Sequence, residues 1–389
     1  MSFRILTLDN ISVRGLDRLP RDRYELSSEI GHPQAILLRS TDMHAMEIPP
    51  TVLAVARAGA GTNNIPVAAL SRQGIPVFNA PGANANAVKE LVIAGLLLAA
   101  RNICPAWDFV RSLQGDDDAI GQAAEIGKKR FVGVELPSRT LGVIGLGAVG
   151  VEVANTAHLL GMNVLGYDPQ ITVQRAWQLS SGVEQAVSID ELFARSDMVT
   201  VHVPLLEATR GLVSAERIRL MRKGGTVLNF SRAGIVDEPA VIAAIDAGRL
   251  AGYVCDFPSA ANKDHPQVVA LPHLGASTGE AEENCAVMVV DTLRDFLENG
   301  NVRHSVNFPD TALPRVPGTC RLSVANSNVP NMVGQISTRL AAAGLNIADL
   351  LNKSRGEVAY TLIDTDGPVS QLVLEEISSI DGVLSARLV

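Results

Sequence analysis

Cysteine is scarce in this chain, paired cysteines are absent, and no apolar run is long enough to cross a membrane. The 389 residues include 4 cysteines. Cys104, Cys255, Cys285 and Cys320 stand far apart with no C-x-x-C pair. That spacing argues against a disulfide framework or a zinc site and fits reduced thiols, so no metal is expected. The most apolar stretch, 91–100, is too short to span a bilayer and reads as a buried helix. An excess of positive charge is also missing. A net charge of −8 argues against broad binding to nucleic acid or an anionic membrane, and leaves room only for a local basic pocket. The opening MSFRILTLDN has no apolar core of an export signal and reads as a first strand. A cytoplasmic setting is expected.

The chain is rich in what an ordinary enzyme needs, being 47% hydrophobic and 19% charged. Its length predicts two or three domains. Short apolar strands at 4–8, 35–38, 53–56 and 76–78 alternate with helical patterns, which predicts an α/β domain with a parallel sheet. A long apolar helix over 86–101 leads out of it. Further strands are predicted at 198–202, 226–229, 252–255 and 268–270, and a helix over 281–299 returns to the first domain. Residues 301–319 are proline-rich and aperiodic, a linker candidate. Beyond them, strands at 320–325, 347–352, 359–364 and 383–388 and helices at 331–343 and 369–379 give the βαββαβ order of a ferredoxin-like unit.

Residues 141–168 read as strand, glycine-rich turn, helix and second strand ending in an acid. Gly145, Gly147 and Gly150 have the G-x-G-x-x-G spacing of a dinucleotide site. The first permits a tight turn, the second lets backbone approach a pyrophosphate, and the third lets the helix pack against the strand. The helix N-terminus offers unpaired N–H groups and a positive dipole end to phosphates. Asp168 is placed to accept from a ribose 2′-hydroxyl and to repel a 2′-phosphate, so the expected cofactor is NAD.

Two polar residues on predicted strand-end loops suit chemistry beside a nicotinamide. Arg232, in Asn229-Phe230-Ser231-Arg232, presents a planar fork that can hold a carboxylate. Taken alone, such an arginine is more often one that closes a turn. His273, in LPHLGAST, is of the residue type that suits a general acid or base near neutral pH. A lone histidine is more often structural.

Taken in order, RAGAGTNNI at 57–65, the glycine turn with YDP at 167–169, HVPLLEATRGL at 202–212, NFSRAGIVDE at 229–238 and LPHLGAST at 271–278 resemble the D-2-hydroxyacid dehydrogenases, most closely their D-3-phosphoglycerate dehydrogenase branch. The resemblance implies a flavodoxin-like substrate domain split between 1–95 and 285–312, an inserted Rossmann domain over 96–284, a linker at 313–318, and an ACT regulatory domain over 319–389. It implies that Arg232 binds the substrate carboxylate and that His273 is the acid–base group. Asp256 matches an aspartate contacting the nicotinamide carboxamide, Ala148 and Val149 lie beside the pyrophosphate, and Val203, Phe230 and Ser231 line the cofactor. Arg57, with Ala58 and Gly59, matches substrate-binding positions. The Gly82–Ala87 segment resembles a substrate loop, and Lys128-Lys129-Arg130 is either a solvated cluster or a reach toward a neighbouring subunit. The implied reaction is NAD-dependent oxidation of 3-phospho-D-glycerate, in serine biosynthesis. Its alternatives are reduction of glyoxylate, hydroxypyruvate or 2-oxoglutarate, or an NAD-binding sensor without turnover.

One residue departs from that family. Its members carry a glutamate that pairs with the catalytic histidine, and ungapped counting from Arg232 puts Ala261 at that position. A carboxylate beside histidine raises its pKa and fixes its tautomer. Its absence predicts an acid–base group that titrates lower than in those relatives, unless Asp264 folds back to replace it. In the last domain the resemblance places effector contacts at Asn326, Asn328 and Asn346, and implies L-serine as effector across paired domains of a homodimer or homotetramer. Asparagine-rich turns and caps account for the same residues without a ligand.

Overall fold

The computed structural model describes residues 2–389, which form two compact units: the residues up to Asn84 together with Gly279–Val389, and Ala85–Thr278. The first unit is built on a parallel sheet of β1 (Phe3–Thr7), β2 (Tyr24–Ser27), β3 (Ala35–Leu38), β4 (Ala54–Arg57) and β5 (Val77–Phe78). Their order β2-β1-β3-β4-β5 is flavodoxin-like. All four side chains of β3 are fully buried, the pattern of a strand covered on both faces. One of its covers is the helix Gly279–Asn299, whose Cys285, Ala286, Val289, Val290 and Leu293 enter the same core as Ile5, Leu37 and Ala56.

The second unit holds seven parallel strands: β6 (Thr140–Ile144), β7 (Asn163–Tyr167), β8 (Val183–Gln185), β9 (Met198–Val201), β10 (Gly225–Asn229), β11 (Leu250–Cys255) and β12 (Val268–Ala270). The order β12-β11-β10-β9-β6-β7-β8 reverses between β6 and β9, the switch point of a Rossmann sheet. An inserted domain beginning at residue 96 is the expectation from sequence, whereas the contacts begin this unit at Ala85. The cause is the helix Ala85–Ala100: its Val88, Val92 and Leu96 share one core with Leu141, Val143 and Leu228. Two helices that the sequence reading does not anticipate, Ile103–Ser112 and Asp117–Gly127, bury almost nothing of their own.

Within the first unit, β13 (Cys320–Ser327), β14 (Ile347–Arg355), β15 (Val358–Thr365) and β16 (Val383–Leu388) form an antiparallel sheet of order β14-β15-β13-β16. Together with the helices Met332–Ala342 and Gln371–Ser378 they make the expected ferredoxin-like order. Alternation sends Leu322, Val324 and Ile363 to those helices. Ala325, Tyr360 and Leu362 go instead to the core around the first sheet. This sheet is therefore covered on both faces. The presumed linker is tied down as well: Phe308 is fully buried, Val302 bridges Thr311, and the carbonyls of Leu313 and Pro314 accept from Arg321. Arg321 is itself fully buried, and all five of its N–H donors are used, two of them on Asp364 at 2.6 and 2.7 Å.

Candidate active site

The site segments of the second unit all follow carboxyl ends of its parallel strands, where open α/β sheets bind ligands. Gly145 follows β6 at φ 90°, a backbone that glycine adopts without strain. A Cβ there would meet the His202 carbonyl oxygen and Val203 Cγ1, each at 2.8 Å. At Gly150 a Cβ would stand 1.8 Å from the Gly145 carbonyl oxygen, so helix and turn touch backbone to backbone. At Gly147 nothing lies within 4 Å of the Cβ position. That space is open in front of the helix Ala148–Leu159, whose first-turn amides, those of Ala148 and Val149 among them, have no helical acceptor. A pyrophosphate fits this arrangement. Asp168 braces the turn: Leu146 N–H donates to its Oδ2 and Gln170 N–H to its Oδ1, both at 2.9 Å. Each oxygen keeps a lone pair for a ribose hydroxyl.

His202 packs beneath the same turn. Its Nε2 lies 3.0 Å from Thr200 Oγ1, and burial pulls its pKa from 6.5 down to about 4. Val203 lies at the turn, and its carbonyl oxygen accepts from Ser231 Oγ at 2.5 Å. The Phe230 side chain belongs elsewhere. It is 6% exposed and its ring packs against Gly95 of the helix Ala85–Ala100, so only its backbone can line a cofactor site.

Asn229 shapes the arginine loop. Its buried amide accepts from Ser231 N–H at 3.1 Å and donates to the Arg232 carbonyl at 3.0 Å, which leaves the Arg232 side chain exposed at the loop tip. The Asn229 carbonyl also accepts from Asp256 N–H. Asp256, 1% exposed, then accepts from the N–H groups of Leu274 and Gly275, one on each carboxylate oxygen, at 2.7 Å. His273 precedes them at φ 57°. Arg232 and His273 are thus joined through Asn229 and Asp256.

Among the described residues no carboxylate pairs with His273 in place of the missing glutamate. Asp264 is exposed and pairs with Lys263, so the expectation that it folds back is not met. The His273 ring instead meets the edge of Phe257, centroids 5.3 Å apart at 66°. Phe257 is held in turn. Its carbonyl accepts from Asn262 Nδ2 at 3.1 Å, and the same fully buried amide donates to Glu238 at 2.7 Å. Ser259 Oγ adds a bond to Glu238 at 2.5 Å. Glu238 and Asn262 hold Phe257 beside His273, a support that sequence reasoning missed. The signal for one was an acid at the first turn of a helix, and for the other an asparagine beside the vacant glutamate position.

In the first unit, Arg57 ends β4 and its Nε donates to the Arg39 carbonyl at 2.8 Å, while the guanidinium also bonds the Gly61 carbonyl. It lies over Gly59, and Ala58 is buried behind it. Asn79 Nδ2 holds the Ala60 carbonyl at 2.6 Å. Nearby, Asp9 accepts from the amides of Arg39, Ser40 and Thr41. Burial pushes its pKa up, but those bonds outweigh it and hold the carboxyl at about 2. In the last sheet Asn326 lies within β13 rather than in the loop after it. It is 1% exposed, and its Oδ1 has no hydrogen-bond partner. Asn328 Nδ2 donates to the Gly356 carbonyl at 3.0 Å, and Asn346 N–H to Asp366 Oδ1 at 3.0 Å. Asn331 takes the N-cap place of the next helix at φ 68° without a side-chain cap bond.

Residues 93–275 match the family model of the D-isomer specific 2-hydroxyacid dehydrogenase NAD-binding domain. The chain is 32% identical to D-3-phosphoglycerate dehydrogenase of Haemophilus influenzae, over 94% of this chain and 89% of that one. It is 33% identical to D-3-phosphoglycerate dehydrogenase of Escherichia coli K12, over 84% and 79%. Among solved structures, NAD+-bound 3-phosphoglycerate dehydrogenase of Entamoeba histolytica superimposes with a TM-score of 0.62 at 26% identity, over 79% of this chain and 99% of that one. The chain belongs to the D-2-hydroxyacid dehydrogenases and, within them, to the D-3-phosphoglycerate dehydrogenase family. Its cofactor is NAD.

Proposed function

We propose that this enzyme oxidises 3-phospho-D-glycerate at C2 to 3-phosphooxypyruvate in serine biosynthesis. The observation that carries the reading is the tie of Arg232 and His273 to one another through Asn229 and Asp256, on the same sheet as the glycine turn. NAD, when bound, accepts the C2 hydride. Arg232 holds the carboxylate through its planar fork, and His273 takes the hydroxyl proton and returns it in the reverse direction. Arg57 and the backbone of Ala58 and Gly59 hold the rest of the substrate. His273→Asn is expected to lower kcat by about 10²–10⁴-fold while NAD affinity stays unchanged.

The last sheet and its helices are read as an ACT domain that takes L-serine at Asn326, Asn328 and Asn346. The unpaired, buried Asn326 Oδ1 supports this, being an acceptor set aside for an ammonium. The helices from 103 to 127 support a homodimer or homotetramer, since Ile103, Trp107, Val110 and Ile126 are all exposed. No helix among the described residues is long and apolar enough to cross a membrane. The four unpaired cysteines support a cytoplasmic setting.

The deciding experiment is the initial rate of NADH formation from 3-phospho-D-glycerate, with and without L-serine. Suppression by serine is the expected result. A rate indifferent to serine removes the effector reading alone, and no rate at all removes the substrate.

A further inference from the structure

Two arginines on one face of the last sheet are treated differently by their neighbours. Arg321 stands directly across from Asp364 and has a full counter-charge. Arg387, one strand over, stands across from Ser323. Its guanidinium lies over the Phe296 ring, 4.5 Å from the centroid, and bonds the carbonyls of Phe296 and Leu297. Among the described residues no carboxylate comes within ion-pair distance of it. Burial makes this guanidinium hold its proton less tightly than an arginine ordinarily does.

Arg387 lines a cavity of about 360 Å³ within the first unit, between the last sheet and the segments beside the first. On its polar side are Ser323 and Ser385, and on its apolar side Val52, Leu53, Ile75 and Phe296. The lining includes no acid. A buried or half-buried cation gains most from an anion that arrives with its own apolar body, because the anion pairs the charge while the body fills the cavity.

We propose that this cavity binds a small monocarboxylate with an apolar body, its carboxylate on Arg387 and its body against Val52, Leu53, Ile75 and Phe296. The absence of a lining acid leaves an ammonium without a partner, so the site discriminates against amino acids. It is separate from the asparagine cluster proposed for serine, and its ligand bridges the last sheet to the strand-end segments 50–53 and 73–75.

The test is calorimetric titration of the full chain with 4-methylpentanoate, with 4-methylpentanamide as the uncharged control and leucine as the zwitterion. Saturable binding of the acid is expected, with the amide and leucine each at least about tenfold weaker. Arg387→Gln is expected to weaken the acid by about tenfold or more. Leu53→Trp, which fills the apolar end, is expected to abolish binding while NAD affinity stays unchanged. If Arg387→Gln fails to fold, Leu53→Trp and the amide control decide the matter. The proposal is overturned by absence of saturation, by equal binding of amide or leucine, or by acid binding that survives Leu53→Trp.

Discussion

The glycine turn and the His273 loop both follow strands of one sheet, yet they are made rigid by opposite means. The turn is shaped by side chains that are missing: at Gly145 and Gly150 any Cβ would enter backbone or packed atoms. The His273 loop is shaped by side chains that reach in from elsewhere, with Asp256 holding its amides and Phe257 packing its ring. A motif of absences is compact in sequence. A loop held by remote carboxylates and amides is not.

The largest effect should come from refilling an absence. Gly150→Ala drives a methyl group into the Gly145 carbonyl, and since backbone must move, NAD binding should be lost. Stability should fall by about 1–3 kcal/mol, as in overpacked cores. Gly147→Ala is the control, because its Cβ meets open space. It should leave the melting temperature unchanged and weaken NAD alone. Paired melting curves and NAD titrations check both. Equal loss of stability in the two variants would mean that the turn is not specified by its missing side chains.

On the other loop, Asp256→Asn turns one acceptor into a donor that faces a backbone N–H. It should cost about 1–3 kcal/mol, the range for a buried polar group left unpaired. Because Leu274 and Gly275 directly follow His273, kcat should fall more than KM rises. A variant that loses stability but keeps kcat would show the loop to be held some other way. Phe257→Leu should do less, about 0.5–1.5 kcal/mol for the ring contact. Its distinguishing readout is the pH profile of kcat/KM, which should shift if the ring fixes the imidazole and stay still if it merely fills space. Ala261→Glu, which restores the family's acid at its sequence position, should move the same profile to higher pH.

The contrast also explains what could be read before the fold was known. Parallel strands such as β3 and β12 are short runs of aliphatic residues, and their bounds agree with the sequence pattern. The glycine turn was legible because the geometry needs one residue type at each place. The direction of the Phe230 side chain was not legible, because a motif position says which loop a residue occupies, not which way its side chain points. That direction is set by Gly95 of another helix. Asp264 was a plausible replacement by proximity in sequence, but its neighbour Lys263 draws it to solvent. Asn262 and Glu238 lie 24 residues apart, and nothing local marks them as partners. The linker looked loose because the residue that captures Leu313 and Pro314 is Arg321, whose charge is matched only by Asp364 on another strand.

The smallest effect at neutral pH, and the one that joins the two regions, concerns His202. It lies beneath the glycine turn, half-buried, with its pKa lowered to about 4 from 6.5 by loss of solvent around the ring. A folded-state pKa below the unfolded one means that the unfolded chain binds the proton more readily between those values. The contribution of neutral His202 is therefore complete above about pH 6.5 and is lost as pH falls toward and through 4. The slope across that window is at most about 1.4 kcal/mol per pH unit. His202→Asn, which cannot charge, should have a shallower acid limb in denaturant-determined stability between pH 7 and 4.5, so the gap from wild type narrows as pH falls. NAD affinity in the wild type should hold across that window and weaken only as pH approaches 4, and it should not weaken there in the variant, because only then does a charged imidazole in the folded protein disturb the contacts that hold Gly145 and Gly150. If both proteins lose stability in parallel, the turn is indifferent to His202, and its rigidity comes from the glycines and Asp168 alone.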